Sequence, residues 1–220
     1  MTVADLARRD EADALVRDAH LNVHRYPPDF PGFRARVRLS AEDAVAVGRA
    51  VFRPGDVPEV QIAADPGDAA WLAREAASMV DNRLHRAYEE GDGRFAKDVD
   101  RAGGPFGEVV HIDDPMLSTY WIENGHITRI GRTINGGRLT IAVQDQAPAP
   151  DGRWVARSFT VLLQDEGTGR IVSAEAYHDR YVDRDGFLLP SRRRVVSLTP
   201  GGSRVRELVL DHHALLGAAA

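Results

Sequence analysis

The stretch "HITRIGRTINGGRLTIAVQD", residues 126–145, decides the fold. Two runs rich in Ile, Thr and Val flank Asn135, Gly136 and Gly137, the residues that tight hairpin turns favour because they tolerate positive φ. The same grammar continues on both sides. "EVVHID" and "STYWIE" precede it, and "RWVARSFTVLLQDE", "RIVSAEAYHDRYV", "FLLPSRRRVVSL" and "SRVRELVLDHH" follow, separated by "NG", "APAPDG", "EGTG", "DRDG" and "TPGG". Residues 107–214 therefore read as an antiparallel meander. No internal period marks a solenoid or propeller.

Upstream, "FRARVRLS" alternates strictly, with Phe33, Ala35, Val37 and Leu39 on one side and Arg34, Arg36, Arg38 and Ser40 on the other, a strand with one wet face. "AVAVGRAVFRP" and "PEVQIAAD" follow as further strands. Residues 2–25 are predicted helical, with Ala12, Leu15, Val16, Ala19 and Val23 on one stripe and a stop forced before Pro27 and Pro28. Residues 67–88 form a second predicted helix, with Leu72, Ala76, Val80 and Leu84 as its buried stripe. The loop "GDGRFAKDVDRAGGPFG" links it to the meander. Two helices and about 10–11 antiparallel strands make an α+β fold. The economical arrangement is a single domain, 1–220, in which one strongly curved sheet, a half-barrel, wraps around both helices.

Composition narrows function mainly by exclusion. With 43% apolar and 28% charged residues the chain is of globular type, and it holds no run of the roughly 20 apolar residues that a membrane helix needs. The absence of cysteine removes disulfides, thiolate metal sites and cysteine nucleophiles. Lys97 is the only lysine and sits in what reads as a polar loop, which leaves Schiff-base chemistry little to stand on. A net charge of -5 gives no pull toward nucleic acid. The basic run "SRRRVV" puts Arg192 and Arg194 on one strand face and Arg193 on the other, as on a solvated strand. The start, "MTVADLARRDEADAL", lacks an apolar secretory core, so the expected location is cytoplasmic.

The segments "DFPGFRARVRL", "WLAREAASMVDNRLHR", "RSFTVLLQDEGTGRIVSAEAYHDRYV" and "VRELVLDHHALL" together resemble a bacterial, cyanobacterial and plant family known as a domain of unknown function, over roughly residues 14–216. The pattern is also similar to the half-barrel fold of periplasmic lipoprotein carriers. That resemblance implies an apolar concavity able to hold a lipid or other small molecule.

Catalytic signatures of the G-x-S-x-G, H-E-x-x-H, P-loop and EF-hand types are absent. "GDGRFA" matches G-x-G-x-x-A but follows a helix rather than a strand, which argues against dinucleotide binding. Histidines offer a metal hypothesis: His20 and His24, four apart on a helix, could chelate zinc, iron or copper with a third ligand from His111, Asp113 or His178. The alternative for His24, and for His85 on the second helix, is a helix-end role against the negative pole of the macrodipole. His212 and His213 are adjacent and face opposite ways on a strand. Glu175, Tyr177 and Asp179 share one strand face as an acid/base row, or are solvated strand residues. Tyr120, Trp121, Trp154 and Phe159 are candidates to line a ligand surface, against core packing as the alternative. The expected function is a pocket protein for an apolar or amphipathic small molecule. The alternative is a small-molecule enzyme using the same cavity through metal or acid/base chemistry.

Overall fold

The computed structural model describes residues 3–217, with the side chains of 8–100 and 104–217. In chain order the elements are α1 (Val3–Leu21), β1 (Phe33–Ala41), β2 (Ala44–Phe52), β3 (Glu59–Ile62), α2 (Pro66–Asp81), β4 (Lys97–Gly104), β5 (Gly107–Ile112), β6 (Thr119–Glu123), β7 (His126–Ile134), β8 (Gly137–Pro148), β9 (Trp154–Asp165), β10 (Ile171–Arg184), β11 (Phe187–Thr199) and β12 (Gly202–Leu215). Short 3-10 turns cover Tyr88–Glu90 and Asp92–Arg94. The strands follow the order β3-β2-β1-β12-β11-β10-β9-β8-β7-β6-β5-β4. The α+β class holds, with 12 strands among the described residues where about 10–11 were expected. Neither helix is long and apolar enough to cross a membrane.

Contacts divide the chain into two units, the first comprising Met1–His24, Arg86–Ala176 and Leu198–Gly201, the second Arg25–His85, Tyr177–Ser197 and Gly202–Ala220.

In the first unit α1 lays Ala12, Val16 and Ala19 on Val99 of β4, Val110 and Ile112 of β5, and Tyr120 and Ile122 of β6, with Leu15 at the margin. The apolar stripe thus packs as its spacing predicts. The helix ends sooner than expected; its predicted first residue, Thr2, lies outside the described residues. Pro27 sets only the latest possible stop. Earlier, the Trp154 amide donates to the Asn22 carbonyl (2.8 Å) and the His24 amide to the Trp154 carbonyl (2.9 Å), so tertiary hydrogen bonds take the backbone out of the helix after Leu21. The Asn22 side chain adds a bond to the Gly125 carbonyl (2.9 Å).

β4 is the strand that sequence reading treated as loop. Among its described residues the buried ones are Lys97 and Val99, both 5% exposed, and they alternate with Asp98 and Asp100, so no apolar alternation announces it. It stands at the end of the strand order, where charged residues are usual because they discourage further pairing.

The second unit carries the strictest alternation: β1 is buried at Phe33, Ala35, Val37, Leu39 and Ala41. It pairs antiparallel with β12 on one side and β2 on the other. α2 begins at Pro66 behind the N-cap Asp65, whose carboxylate accepts the Gly67 amide (2.9 Å). Leu72, Ala76 and Val80 are buried as the stripe predicts, together with Trp71 and Met79. The helix stops at Asp81, seven residues before the expected end, and Leu84 and His85 lie beyond it. No Gly or Pro in "DNRLHRAYEE" signals this. The cause is again tertiary: the Arg83 carbonyl accepts the Tyr26 amide (2.6 Å), and the Arg83 guanidinium donates to the Tyr181 hydroxyl (3.0 Å).

Candidate functional site

The face of the first unit that receives α1 continues past the helix. Register pairs Tyr120 with Ile130, Ile130 with Ile141 and Ile141 with Val161, so these four stand in one row across β6, β7, β8 and β9. Leu139 with Leu163, and Val143 with Phe159, lie on the same face. Beneath α1 this face is closed, Tyr120 being 3% and Ile122 2% exposed. Across β7 to β9 its apolar residues are each half-buried. At about 3.4 Å per residue and 4.8 Å between strands, the half-buried patch measures roughly 14 by 10 Å. The opposite face offers Thr140 and Thr160.

A single cation interrupts the patch. Arg132 of β7 pairs with Leu139, which places it on the apolar face. Its guanidinium donates to the Tyr120 hydroxyl (3.0 Å), which in turn donates to Asp92 (3.2 Å). Burial, more than Asp92, pushes the Tyr120 hydroxyl up to about 12, so it stays protonated and able to bridge the two.

A second feature of this unit is a cleft of about 490 Å³ of mixed lining, with Arg8 and Arg9 of α1, Lys97 and Asp98 of β4, His111 of β5 and Asp113 beside Ala96, Ile112, Leu117 and Ser118. His111 and Asp113 do share this site, as their spacing suggests, and His111 Nδ1 lies 3.1 Å from the Thr119 hydroxyl. Asp114 holds the adjoining loop by accepting from the Ser118 amide (2.8 Å) and hydroxyl (2.7 Å).

Lys97 is no loop residue. Its side chain is 2% exposed and its ammonium donates to Asp13 (2.8 Å) and to the Phe95 carbonyl (2.9 Å). The Tyr88 hydroxyl donates to the same Asp13 oxygen (2.6 Å). Burial raises the Asp13 carboxyl, but the bonds from Lys97 and Tyr88 outweigh it and hold the group below its ordinary 3.8. A carboxylate with a depressed folded value stabilises the protein above its ordinary value and loses that contribution as pH falls through the folded one. Asp13→Asn is therefore expected to cost about 1.5–3 kcal/mol at neutral pH, the worth of a charged hydrogen bond. The deficit should shrink as urea unfolding is repeated from pH 5 down to pH 2.5. A pH-independent deficit would count against the ion pair.

The histidines are held apart by separate partners. His20, in the last turn of α1, meets the Arg86 carbonyl through Nε2 (3.0 Å) and the Tyr88 ring edge-on (5.6 Å). His24 lies three residues beyond the helix and turns Nδ1 to Asp151 (2.9 Å). The helix-end role therefore falls to His20 rather than His24, and His85 has none because α2 has already ended. His178 is exposed on β10 in the second unit. Among the described residues no three His, Asp or Glu side chains gather as a cation site, so the expected set of His20, His24, His111, Asp113 and His178 is not assembled.

The acid/base row is also rearranged by its neighbours. Glu175 is half-buried in the first unit, while Tyr177 and Asp179, 8% and 3% exposed, belong to the second. Asp179 is not a wet strand residue. It binds Arg193 in two places, 2.8 and 2.6 Å, and that guanidinium also reaches Glu75 (3.0 Å) and lies over the Tyr177 ring (5.1 Å). Arg193 is correspondingly buried, contrary to the solvated strand expected of "SRRRVV", while Arg194 is exposed.

Of the four aromatic candidates, Tyr120 and Phe159 share the α1 face by register. Trp121 points the other way, stacked by Arg129 (5.1 Å). Trp154 anchors the end of α1 and packs edge-on to His126 (5.0 Å). Sequence reasoning missed Arg132, whose signal was an arginine between Ile130 and Ile134 on a strand. It also missed the pairing of the lone lysine with Asp13.

Among solved structures the chain is similar to a LolA superfamily protein from Nitrosomonas europaea, with 14% identity, a TM-score of 0.40 and 94% of each chain covered. It is similar to a putative outer membrane lipoprotein-sorting protein domain from Vibrio parahaemolyticus, with 7% identity, a TM-score of 0.40 and 96% and 95% of the two chains covered. A DUF1329 family protein from Desulfovibrio piger gives 7% identity, a TM-score of 0.30 and coverage of 97% and 95%. The similarity to lipoprotein carriers read from the sequence has its counterpart here. The expected cytoplasmic location is not kept, since one of the similar structures is a putative outer membrane lipoprotein-sorting protein domain. No curated protein matches the chain. Residues 7–216 match the family described as protein of unknown function (DUF3386), and the chain belongs to that family.

Proposed function

We propose that this protein binds an apolar or amphipathic small molecule on the sheet face beside α1, along β7, β8 and β9. The observation that carries the reading is the contrast within one face. Under α1 it is closed by helix packing, with Ile130 at the border of that cluster, and past it Ile141 and Val161, with Leu139, Leu163, Val143 and Phe159, stay half-buried. Contiguous apolar surface of this kind gains about 25 cal/mol for each Å² that a ligand removes from water. The cleft beside Lys97 supports the reading less well, because Arg8, Arg9, Asp98, His111 and Asp113 interrupt its apolar lining.

Binding of N-phenyl-1-naphthylamine, a neutral apolar probe, tests this. Saturable fluorescence enhancement is expected, weakened about tenfold by Ile141→Asn, which puts an amide in the middle of the row. Absence of saturable binding by the folded protein would refute the reading.

A further inference from the structure

We infer that the ligand is an anionic amphiphile whose carboxylate pairs with Arg132, a choice of substrate class that rests on the apolar-face reading above. Arg132 stands on the ligand face itself, in register with Leu139 and between Ile130 and Ile134 along β7. A guanidinium set among aliphatic side chains loses hydration, and that loss is normally offset by a carboxylate. Arg132 has no ion pair among the described residues. Its one hydrogen bond runs to the Tyr120 hydroxyl, and that hydroxyl separates it from the Asp92 carboxylate. Its Nε is buried and has no acceptor.

Of the other arginines whose Nε lacks an acceptor, several have the charge met directly. Arg204 and Arg206 both pair with Asp68 (3.0 Å each). Arg129 lies over the Trp121 and Phe106 rings (5.1 and 5.4 Å). Arg83 of the second unit, which donates to the Tyr181 hydroxyl (3.0 Å) and lies over that ring (5.5 Å), is bonded much as Arg132 is, and what sets Arg132 apart is its place on the half-buried apolar face. A carboxylate suits the planar fork of a guanidinium, and the tail behind it would run over Ile141, Val161, Val143 and Phe159. The Tyr120 hydroxyl, on β6, holds the guanidinium at the α1 side of the patch, so the tail would lead away from it across β8 and β9.

The experiment compares dodecanoate with dodecan-1-ol as displacers of N-phenyl-1-naphthylamine, in the unsubstituted protein, in Arg132→Met and in Arg132→Lys. Dodecanoate is expected to bind about 10- to 100-fold more tightly than the alcohol, the range of a charge-assisted hydrogen bond. Arg132→Met should remove that preference while leaving alcohol binding within about threefold, and Arg132→Lys should keep part of it. Equal affinity for acid and alcohol, with the neutral probe still bound, overturns the inference and leaves the apolar-face reading standing. A preference for the acid that survives Arg132→Met overturns the assignment to Arg132. Failure of all three molecules to bind overturns both. The acid-to-alcohol ratio of the unsubstituted protein decides the ligand class even where Arg132→Met does not fold.

Discussion

Asp179→Ala is expected to destabilise the protein by about 3–5 kcal/mol, because it strands a guanidinium in an interior that was built around the pair. The Asp179 side chain is 0% and the Arg193 side chain 3% exposed, and the two exchange parallel hydrogen bonds of 2.8 and 2.6 Å. Glu75 answers part of the remaining charge through a 3.0 Å bond, and Ser78 adds a weaker one at 3.3 Å, yet neither replaces a bidentate partner. The control is the double replacement Asp179→Leu with Arg193→Met. Removing both charges together should recover most of the loss, since a buried pair gains little over apolar packing once its desolvation is counted. Urea unfolding followed by tryptophan fluorescence reads both. A loss below 1 kcal/mol for Asp179→Ala would show the pair to be solvated.

Gly32→Ala is expected to cost about 3 kcal/mol or more, combining a left-handed backbone penalty of roughly 1–2 kcal/mol with overpacking of about 1–3 kcal/mol. Gly32 has φ +83, and a Cβ there would lie 2.2 Å from the Phe52 carbonyl oxygen. Its own carbonyl accepts the Leu216 amide (3.0 Å), so the chain cannot shift away without losing that bond. The neighbouring rings show what the turn achieves: Phe30 stacks on Tyr26 (4.0 Å) and Phe33 on Phe52 (4.5 Å), on either side of the glycine. Thermal unfolding of Gly32→Ala against Gly55→Ala, a glycine of similar φ (+82) with nothing within 4 Å of its Cβ position, isolates the clash from the backbone conformation. Equal losses in the two variants would remove the steric part of the argument.

The strand in "DFPGFRARVRL" was legible from its alternation, and the physical content of the glycine before it is this close passage of backbone against backbone. Legibility followed the same logic elsewhere. β7, whose bounds match the predicted run 126–134, lies between turn residues and carries β-branched residues, so local chemistry and tertiary structure agree. α1 and α2 were found by their apolar stripes but overrun at their ends, because the hydrogen bonds that stop them come from Trp154 and Tyr26, far away in sequence. β4 was hidden because its buried positions include a lysine, whose burial makes sense only once Asp13 of α1 is beside it. The site divided in the same way. His111 and Asp113 could be placed together from a spacing of two. Arg132 could not, since what distinguishes it is that the nearby Asp92 carboxylate reaches it only through the Tyr120 hydroxyl. His24, Asp179 and Arg193 each found partners on other elements, and those partners moved them from suspected chemistry or solvent to structure.

The burial of Lys97 bears on covalent chemistry as well as on packing. A chain with one lysine, its amine 2% exposed and shared between Asp13 and Phe95, offers no accessible side-chain amine while α1 and β4 stay together. Acylation, carbamylation or conjugation at a lysine then becomes possible only in conformations where the helix has lifted from the strand, so any such mark on Lys97 would be a record of that opening.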